Sequence, residues 1–296
     1  MYDVTILTCE AYYKPHELNS YISNILLEEQ LIKESLESNG LKVDVTYWSN
    51  KSYDWTSTKS AVFRTVWDYF ENFEKFYSWL NKIKDQTKLI NSYELVNWNI
   101  NKKYLLDLKS NGINIVPTRL IKKGSTETLK SICSIANYGD IVIKPAISAA
   151  AYQTYKIASN EVNNYEDLFS DLIQEKDMLV QPFFEQITSL GEASLMIFDG
   201  NFSHAILKRA KEGDFRVQDD FGGTVECYIP TEKEISFALD VISACKTKPS
   251  YGRVDIVWDK SKEVYLSELE LFEPELWFRE NSKSAGMLAE AVKKIL

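Results

Sequence analysis

Through about the first ninety residues, short apolar runs alternate with longer amphipathic ones, the arrangement of a parallel sheet whose strands are joined by crossover helices. Residues 4–7 and Val43–Tyr47 read as strands. Between them, residues 18–36 carry apolar side chains at helical spacing and stop short of Asn39-Gly40, a helix-ending pair. A third strand is predicted at 61–64. After it, Trp67, Phe70, Phe73, Phe76, Tyr77 and Leu80 recur at steps of three and four, which predicts one helical face turned into a core rather than toward a ligand. Residues 99–111 predict a short helix closed by Gly112, followed by a strand-like 113–118. Farther on, 140–145 and 178–184 read as apolar strands around a polar, helix-like stretch. Each reaches a proline, Pro145 or Pro182, that ends its ladder. Several more strands and a helix from about Ala285 complete the chain, with no internal repeat and no low-complexity linker.

A chain of 296 residues has room for about two or three compact units. The change of pattern near Asn91 predicts a first unit over 1–95, set apart from the rest of the chain. Apolar residues at 45% and charged residues at 26% give the balance of a soluble globular protein. The formal net charge is −9 and Lys and Arg are nowhere clustered, so neither nucleic acid nor an anionic membrane is an expected partner. Asp3 stands where a signal peptide wants cations, and no apolar run reaches bilayer length, so cytoplasmic residence is expected. Cys9, Cys133, Cys227 and Cys245 lack the paired spacing of a disulfide framework or a zinc site. His16 and His204 are the sole histidines, which leaves the chemistry to Lys, Arg, Asp and Glu.

The richest stretch runs from Tyr251 to Leu271. Folded as a hairpin about a turn at 259–263, it sets Asp255 opposite Glu268 and Arg253 opposite Glu270, all on one face, with Val254, Ile256, Leu269 and Leu271 on the other. Crowded carboxylates repel and call for a cation, for which Mg2+ is suited because it accepts a few oxygen ligands and leaves room for phosphate. The same residues also suit a solvated strand face with Arg253 as an ion-pair partner. Lys144 ends an apolar strand beside a loop of small residues, a position that suits a phosphate or an ordinary strand end. Lys208, Arg209 and Arg216 lead toward Gly222-Gly223, an arrangement open to an anion or to a plain basic hairpin.

Together these residues resemble the ATP-grasp enzymes, in the glutathione-synthetase-like and ribosomal-protein glutamate-ligase branch. In particular, the runs Trp67-Asp-Tyr, Trp98-Asn, Val142-Ile-Lys-Pro, Gly191-Glu-Ala-Ser-Leu, Phe215-Arg-Val-Gln and Glu268-Leu-Glu-Leu resemble the cycloserine-forming cyclo-ligase family. The resemblance implies an α/β (α+β) ATP-grasp fold, with a Rossmann-like N-terminal pre-ATP-grasp domain over 1–95 and two α+β lobes, 96–180 and 181–296, enclosing ATP. It implies Lys102, with Lys103 as the alternative, and Lys144 on the nucleotide phosphates. Gln181, Pro182, Phe183 and Phe184 would meet adenine and Glu192 the ribose. Lys208 and Arg216 would hold the transferred phosphoryl group, and Arg253 would orient the acceptor or steady the metal ligands. Asp255, Glu268 and Glu270 would bind Mg2+, as two ions, with Mn2+ as a substitute. Many relatives carry Asn where Glu270 stands, and the loop after Lys144 lacks glycine.

The expected reaction is ligation of a small-molecule carboxylate to an amine through an acyl phosphate. Ring closure within one molecule, phosphoryl transfer to a hydroxyl and nucleotide binding without catalysis remain open beside it. Arg64 is the candidate anchor for a substrate carboxylate, or a structural partner of Asp68. The family also implies a homodimer or homotetramer.

Overall fold

The computed structural model describes residues 1–217 and 222–296. Strand β1 (Tyr2–Thr8) is followed by α1 (Ser20–Ser38), β2 (Val43–Tyr47), β3 (Thr58–Thr65), α2 (Phe73–Ile83) and β4 (Lys88–Ile90). These strands pair in parallel in the order β2-β1-β3-β4. Helix α1 starts where the Asn19 side chain accepts the Ile22 N–H at 2.8 Å, and Gly40, at φ +82°, turns the chain into β2. The aromatic helix is shorter than its periodicity predicts. Helix α2 begins at Phe73 and buries Phe76, Leu80 and Ile83, whereas Trp67 and Phe70 belong to the preceding turn. Strand β4, three residues long, is too brief to show an alternation.

Two helices, α3 (Tyr93–Asn99) and α4 (Tyr104–Ser110), replace the single one expected over 99–111. The break between them frees the Lys102 N–H to donate to the Ala146 carbonyl at 2.7 Å. The strand expected over 113–118 shrinks to a parallel bridge between Ile115 and Leu266.

A middle sheet of β5 (Arg119–Ile121), β8 (Met178–Pro182), β6 (Ile141–Pro145) and β7 (Tyr155–Ile157) is antiparallel in that order. It is backed by α5 (Leu129–Ala136) and α6 (Glu166–Glu175). Both prolines sit at strand ends, Pro182 opposite Ile141 and Pro145 opposite Met178. Because side chains alternate, Ile141, Ile143, Met178 and Val180 fill the core under the helices, leaving Val142, Lys144 and Gln181 for the opposite face.

The chain continues through α7 (Gln186–Ser189), β9 (Glu192–Phe198), β10 (Asn201–Arg209), β11 (Thr224–Tyr228), α8 (Glu232–Ser243), β12 (Tyr251–Trp258), β13 (Val264–Glu270) and α9 (Ser284–Ile295). These strands form an antiparallel sheet in the order β11-β10-β9-β12-β13. One face shares a core with α4 and α8 through Leu195, Leu207, Val254, Ile256 and Leu269. On the other, Met196, Phe198, Ile206 and Tyr251 join Val4, Ile6 and Ile32 of the N-terminal unit and Leu288 of α9. The two ends of the polypeptide therefore fold onto a common core.

Glu28 secures that junction from α1. It is buried, and its carboxylate accepts the backbone N–H groups of Phe278 at 2.8 Å and Arg279 at 2.9 Å, with the Arg279 Nη1 at 3.3 Å. Replacing Glu28 by Ala strands the two backbone donors and removes one carboxylate from Arg279, which keeps Glu275 at 2.5 Å, so Glu28→Ala is expected to cost about 2–4 kcal/mol. Urea denaturation measures it, and a loss under about 0.5 kcal/mol would show that water satisfies these donors equally well.

Candidate active site

Between the middle sheet, the last sheet and the loops that follow β1 and β3 lies a cavity of about 600 Å³, the size of a small-molecule or nucleotide site. Lys102, Lys144, Gln181, Pro182, Phe183, Phe184, Glu192, Lys208, Arg216, Arg253, Asp255, Glu268 and Glu270 all line it. Arg64 lies elsewhere, as do Lys103, the alternative to Lys102, and Arg209, which turns to Glu226 and the Ser189 and Leu190 carbonyls.

The floor is built by register. Arg253 stands opposite Glu270 and Asp255 opposite Glu268, as the hairpin pattern predicts. A bulge after Asp255 leaves Ser267 as an extra residue of β13, and its hydroxyl donates to Glu192 at 3.0 Å. Strand β9 places Ser194 opposite Asp255, and β10 places Lys208 opposite Glu192. Four adjacent strands thus present one polar face, with their alternate residues in the core behind. Lys208 Nζ lies 2.5 Å from Glu192 and 3.5 Å from Asp255, while Arg253 Nη2 spans Asp255 at 2.8 Å and Glu270 at 2.5 Å. Ser194 donates to Asp255 at 2.5 Å. From the opposite side, Lys102 Nζ reaches Glu268 at 2.9 Å and the Ser148 carbonyl at 2.5 Å. The Trp277 ring lies 5.2 Å from the Arg253 guanidinium and 5.8 Å from Lys208 Nζ, close enough to hold both cations by its π-face.

These contacts divide the carboxylates by charge state. Burial pushes the Asp255 carboxyl up, but Arg253 and Lys208 outweigh it and hold it at about 2. Burial of Glu268 is likewise overcome, by Lys102 and Lys144, and its net shift is downward. Glu270 moves the other way, to about 7: burial leads, Arg253 opposes it, and Glu268 and Asp255 add to it. Glu273 is pushed well above the carboxylate range, chiefly by burial and then by Glu270. Lys144 is lowered by burial, with Glu268 opposing and Lys102 adding, and it forms no ion pair among the described residues.

Among the described residues eight Asp and Glu and five Lys and Arg side chains line the cavity, a balance that attracts cations. Yet the three expected metal ligands are not gathered as a cage: among the described residues no group of three His, Cys, Asp or Glu could hold a metal ion. Asp255, Glu268 and Glu270 turn instead to Arg253, Lys208 and Lys102, which relieve the same repulsion. The donors are all hard oxygens and the negative surplus persists, so these residues fit Mg2+ in company with phosphate oxygens.

On the far wall β8 ends at Pro182 and the chain runs on through Phe183 and Phe184. The Phe183 N–H donates to the Asp140 carbonyl at 2.8 Å, and its ring takes Lys156 Nζ at 3.9 Å. Phe184 meets Tyr265 edge-on at 5.1 Å. With Val142, Ile187 and Val257 they form an apolar slot. The Arg216 guanidinium is gripped by Asp214, with Nη2 at 2.7 Å. Gln218, which ends the Phe215-Arg-Val-Gln run, lies outside the described residues.

Arg64 requires correction. It is a residue of β3, 2% exposed, with its guanidinium 5.6 Å from the Phe278 ring and absent from the cavity lining. Strand alternation explains this, since Arg64 shares parity with Val62, which faces the core joined to the C-terminal segment. Nor is Asp68 its partner, because that carboxylate accepts the Trp48 indole N–H at 2.7 Å. Conversely, the sequence reading passed over Ser194, Glu273, Glu275 and Trp277. The acidic Phe272-Glu-Pro-Glu275 run after the Glu268-Leu-Glu pair was the available signal, whereas nothing local marks Trp277.

Comparison with known proteins agrees with this fold. The family model described as "Prokaryotic glutathione synthetase, ATP-grasp domain" matches residues 105–267, more than half of the chain, and the chain belongs to this ATP-grasp family of ATP-dependent ligases, enzymes that form carbon–nitrogen bonds. A second model, "D-cycloserine synthetase DcsG, N-terminal domain", matches residues 4–91. The cycloserine biosynthesis protein DcsG of Streptomyces lavendulae is 27% identical over 289 residues, covering 89% of this chain and 92% of that protein. The crystal structure of D-cycloserine synthetase DcsG superposes with a TM-score of 0.88 at 23% identity, over 99% of this chain and 100% of the other. D-alanine–D-alanine ligase from Bacillus anthracis, complexed with ATP, superposes at 0.65 and 13% identity, over 99% and 97%. Among the described residues no helix is long and apolar enough to cross a membrane.

Gly191 offers a test of how tightly the floor is built. Its φ of +87° disfavours any L side chain, and a Cβ there would overlap the Lys208 carbonyl. Gly191→Ala is expected to cost about 2–3 kcal/mol by adding that overlap to left-handed strain, and to weaken binding of a non-hydrolysable ATP analogue by parting Lys208 from Glu192. Thermal unfolding and nucleotide titration read the two effects. Wild-type values in both would show that β9 and β10 separate freely here.

Proposed function

We propose that this chain transfers the γ-phosphoryl group of ATP to the carboxylate of a small amino acid-like substrate and joins the activated acyl group to an amine nitrogen. The observation that carries the reading is the meeting, in one cavity, of Lys102, Lys144, Lys208 and Arg253 with Asp255, Glu268 and Glu270. In this reading the nucleotide phosphates lie against Lys102 and Lys144, the segment from Gln181 to Phe184 takes adenine, and Glu192, which also anchors Lys208, meets the ribose. Mg2+, as two ions or with Mn2+ in its place, would be held by Asp255, Glu268 and Glu270 and would neutralise phosphate charge.

A substrate carboxylate oxygen attacks the γ-phosphorus and the bond to the β-γ bridging oxygen breaks, leaving an acyl phosphate and ADP. Lys208, Arg216 and Arg253 offset the charge spread over the transferred group. The amine nitrogen then attacks the acyl carbon, phosphate departs with the bonding electrons, and the nitrogen's surplus proton passes to phosphate or to a cavity carboxylate. Phosphate is a good leaving group, so no histidine is needed. Water must be excluded from the acyl phosphate. The middle sheet has a core of its own, which supports its closing over the cavity as a lobe. A homodimer or homotetramer in the cytoplasm completes the reading.

A second reading is favoured by the likeness to D-cycloserine synthetase: the nitrogen belongs to the same molecule as the carboxylate and the product is a ring. Mass spectrometry of reactions containing ATP, Mg2+ and pooled amino acids separates the outcomes. Ligation yields ADP, phosphate and a product weighing two substrates less one water, and ring closure yields one substrate less one water. A phosphorylated product without free phosphate would replace both by a kinase. Glu268→Gln is expected to lower kcat by about 100-fold or more, roughly 3 kcal/mol of transition-state stabilisation. Undiminished turnover would remove Glu268 from the mechanism.

A further inference from the structure

We propose that the cavity wall contributed by the N-terminal sheet recognises an ammonium group of the substrate, which Asp68 and Glu71 draw against the rings of Tyr12, Tyr21 and Trp67. The inference rests on the ligase reading above and names the part of the substrate that this wall reads.

The wall stands where an open parallel sheet offers a ligand site. In the order β2-β1-β3-β4, the chain leaves β1 toward one side of the sheet and β3 toward the other, so a crevice opens beyond their C-terminal ends. The loop after β1 supplies Tyr12, α1 supplies Tyr21, and the turn after β3 supplies Trp67, Asp68 and Glu71. Three rings converge there. Tyr12 meets Trp67 edge-on at 5.8 Å, Tyr21 meets Trp67 at 6.5 Å, and the two tyrosines are 6.5 Å apart. The Trp67 indole N–H donates to the Glu273 carbonyl at 2.8 Å, which fixes the ring relative to the floor.

Charge selects among possible occupants. Among the described residues the five cations lining the cavity all come from Lys102 onward in the chain, so this wall, apart from Cys9 and Ala11, is aromatic and acidic and carries no cation. Asp68 is oriented by the Trp48 indole, and neither Asp68 nor Glu71 forms an ion pair with Lys or Arg among the described residues. A carboxylate or phosphate placed here would be repelled, and an uncharged alkyl group would leave half-buried Asp68 without a counter-charge. An ammonium group satisfies the carboxylates with its N–H donors and the rings by cation–π attraction. A zwitterion is thereby oriented: its ammonium lies at the acidic wall and its carboxylate turns toward Lys208 and Arg253.

Saturation-transfer NMR tests this on the intact chain loaded with AMP-PNP and Mg2+, using D- and L-alanine and D- and L-serine beside their N-acetyl counterparts, which keep the carboxylate and lose the ammonium. At least one free amino acid is expected to bind about tenfold or more tightly than its N-acetyl form, and Asp68→Asn and Glu71→Gln are each expected to weaken it by about threefold to tenfold. Glu71 is exposed, so its replacement leaves folding intact, and AMP-PNP affinity reports on folding for both variants. Equal binding of the acetylated compounds, binding indifferent to both substitutions, or no signal from any free amino acid overturns the assignment. ADP release with pooled amino acids is measured in parallel. Release together with any of those failures removes the pocket and keeps the ligase, whereas ammonium-dependent binding without release keeps the pocket and removes the ligase.

Discussion

The structure depends on charge balance across one face of β12 and β13. Asp255, Glu268 and Glu270 stand on a sheet whose other face is packed with Val254, Ile256, Leu269 and Leu271, so the carboxylates have no route to bulk water by rotation of the strand. A one-residue slip of register would drive them into that apolar core and turn the leucines into the cavity. Register is therefore strongly specified, and the carboxylates must be neutralised where they stand. Arg253 does this from within the hairpin, Lys208 from β10 and Lys102 from the turn before α4. Three separate parts of the chain are held at the cavity by the same need.

The remaining architecture sets what can move relative to that face. The N-terminal sheet and α9 share a core with the back of β9, β10 and β12, and Asn91 reinforces the joint by donating to the Tyr251 and Leu271 carbonyls at 2.8 and 2.6 Å. The Tyr12–Trp67 wall is consequently fixed to the floor. The middle sheet, in contrast, keeps Ile141, Ile143, Met178 and Val180 in a core of its own, and at the cavity its hydrogen bonds run through Lys102 and the loop around Ala146 and Ser148. A rigid floor and wall facing a separately cored lobe can exclude water without disturbing the charge pairs.

What was legible in the sequence follows the range of the physics involved. The hairpin could be read to the residue because two alternating strands flank one short turn, so register, face and charge pairing are all local. Strand β6 was equally clear as an apolar run ending at Lys144, although the face that Lys144 takes was not read. Arg64 failed for a non-local reason: both faces of β3 are covered, and which one meets the cavity depends on where the C-terminal segment docks. Trp67 and Phe70 continued a helical period that the turn at residues 67–72 breaks, which hid their place on the cavity wall. Trp277 and Ser194 acquire meaning only when sheets far apart in sequence meet. The three carboxylates and Arg253 were placed together on one face, but Lys208 and Lys102 were not paired with them, because those lysines come from segments far from the hairpin in the chain.

Those partners bear on how the cavity receives a charged nucleotide. Lys102 and Lys208 are each buried and bound to a carboxylate, and a phosphate that draws either one away leaves that carboxylate ionised in a poorly solvated place. A bare triphosphate would take the cations, supply none in return and deepen an existing negative surplus. In the proposed reading a magnesium-loaded nucleotide would exchange one set of pairs for another, Lys102 and Lys208 turning to phosphate and the carboxylates they release to the metal. Lys144, which forms no ion pair among the described residues, would receive phosphate without breaking such a pair. On that reading, the same ion pairs that stabilise the ligand-free floor would favour the metal-bound form of the nucleotide over the free one.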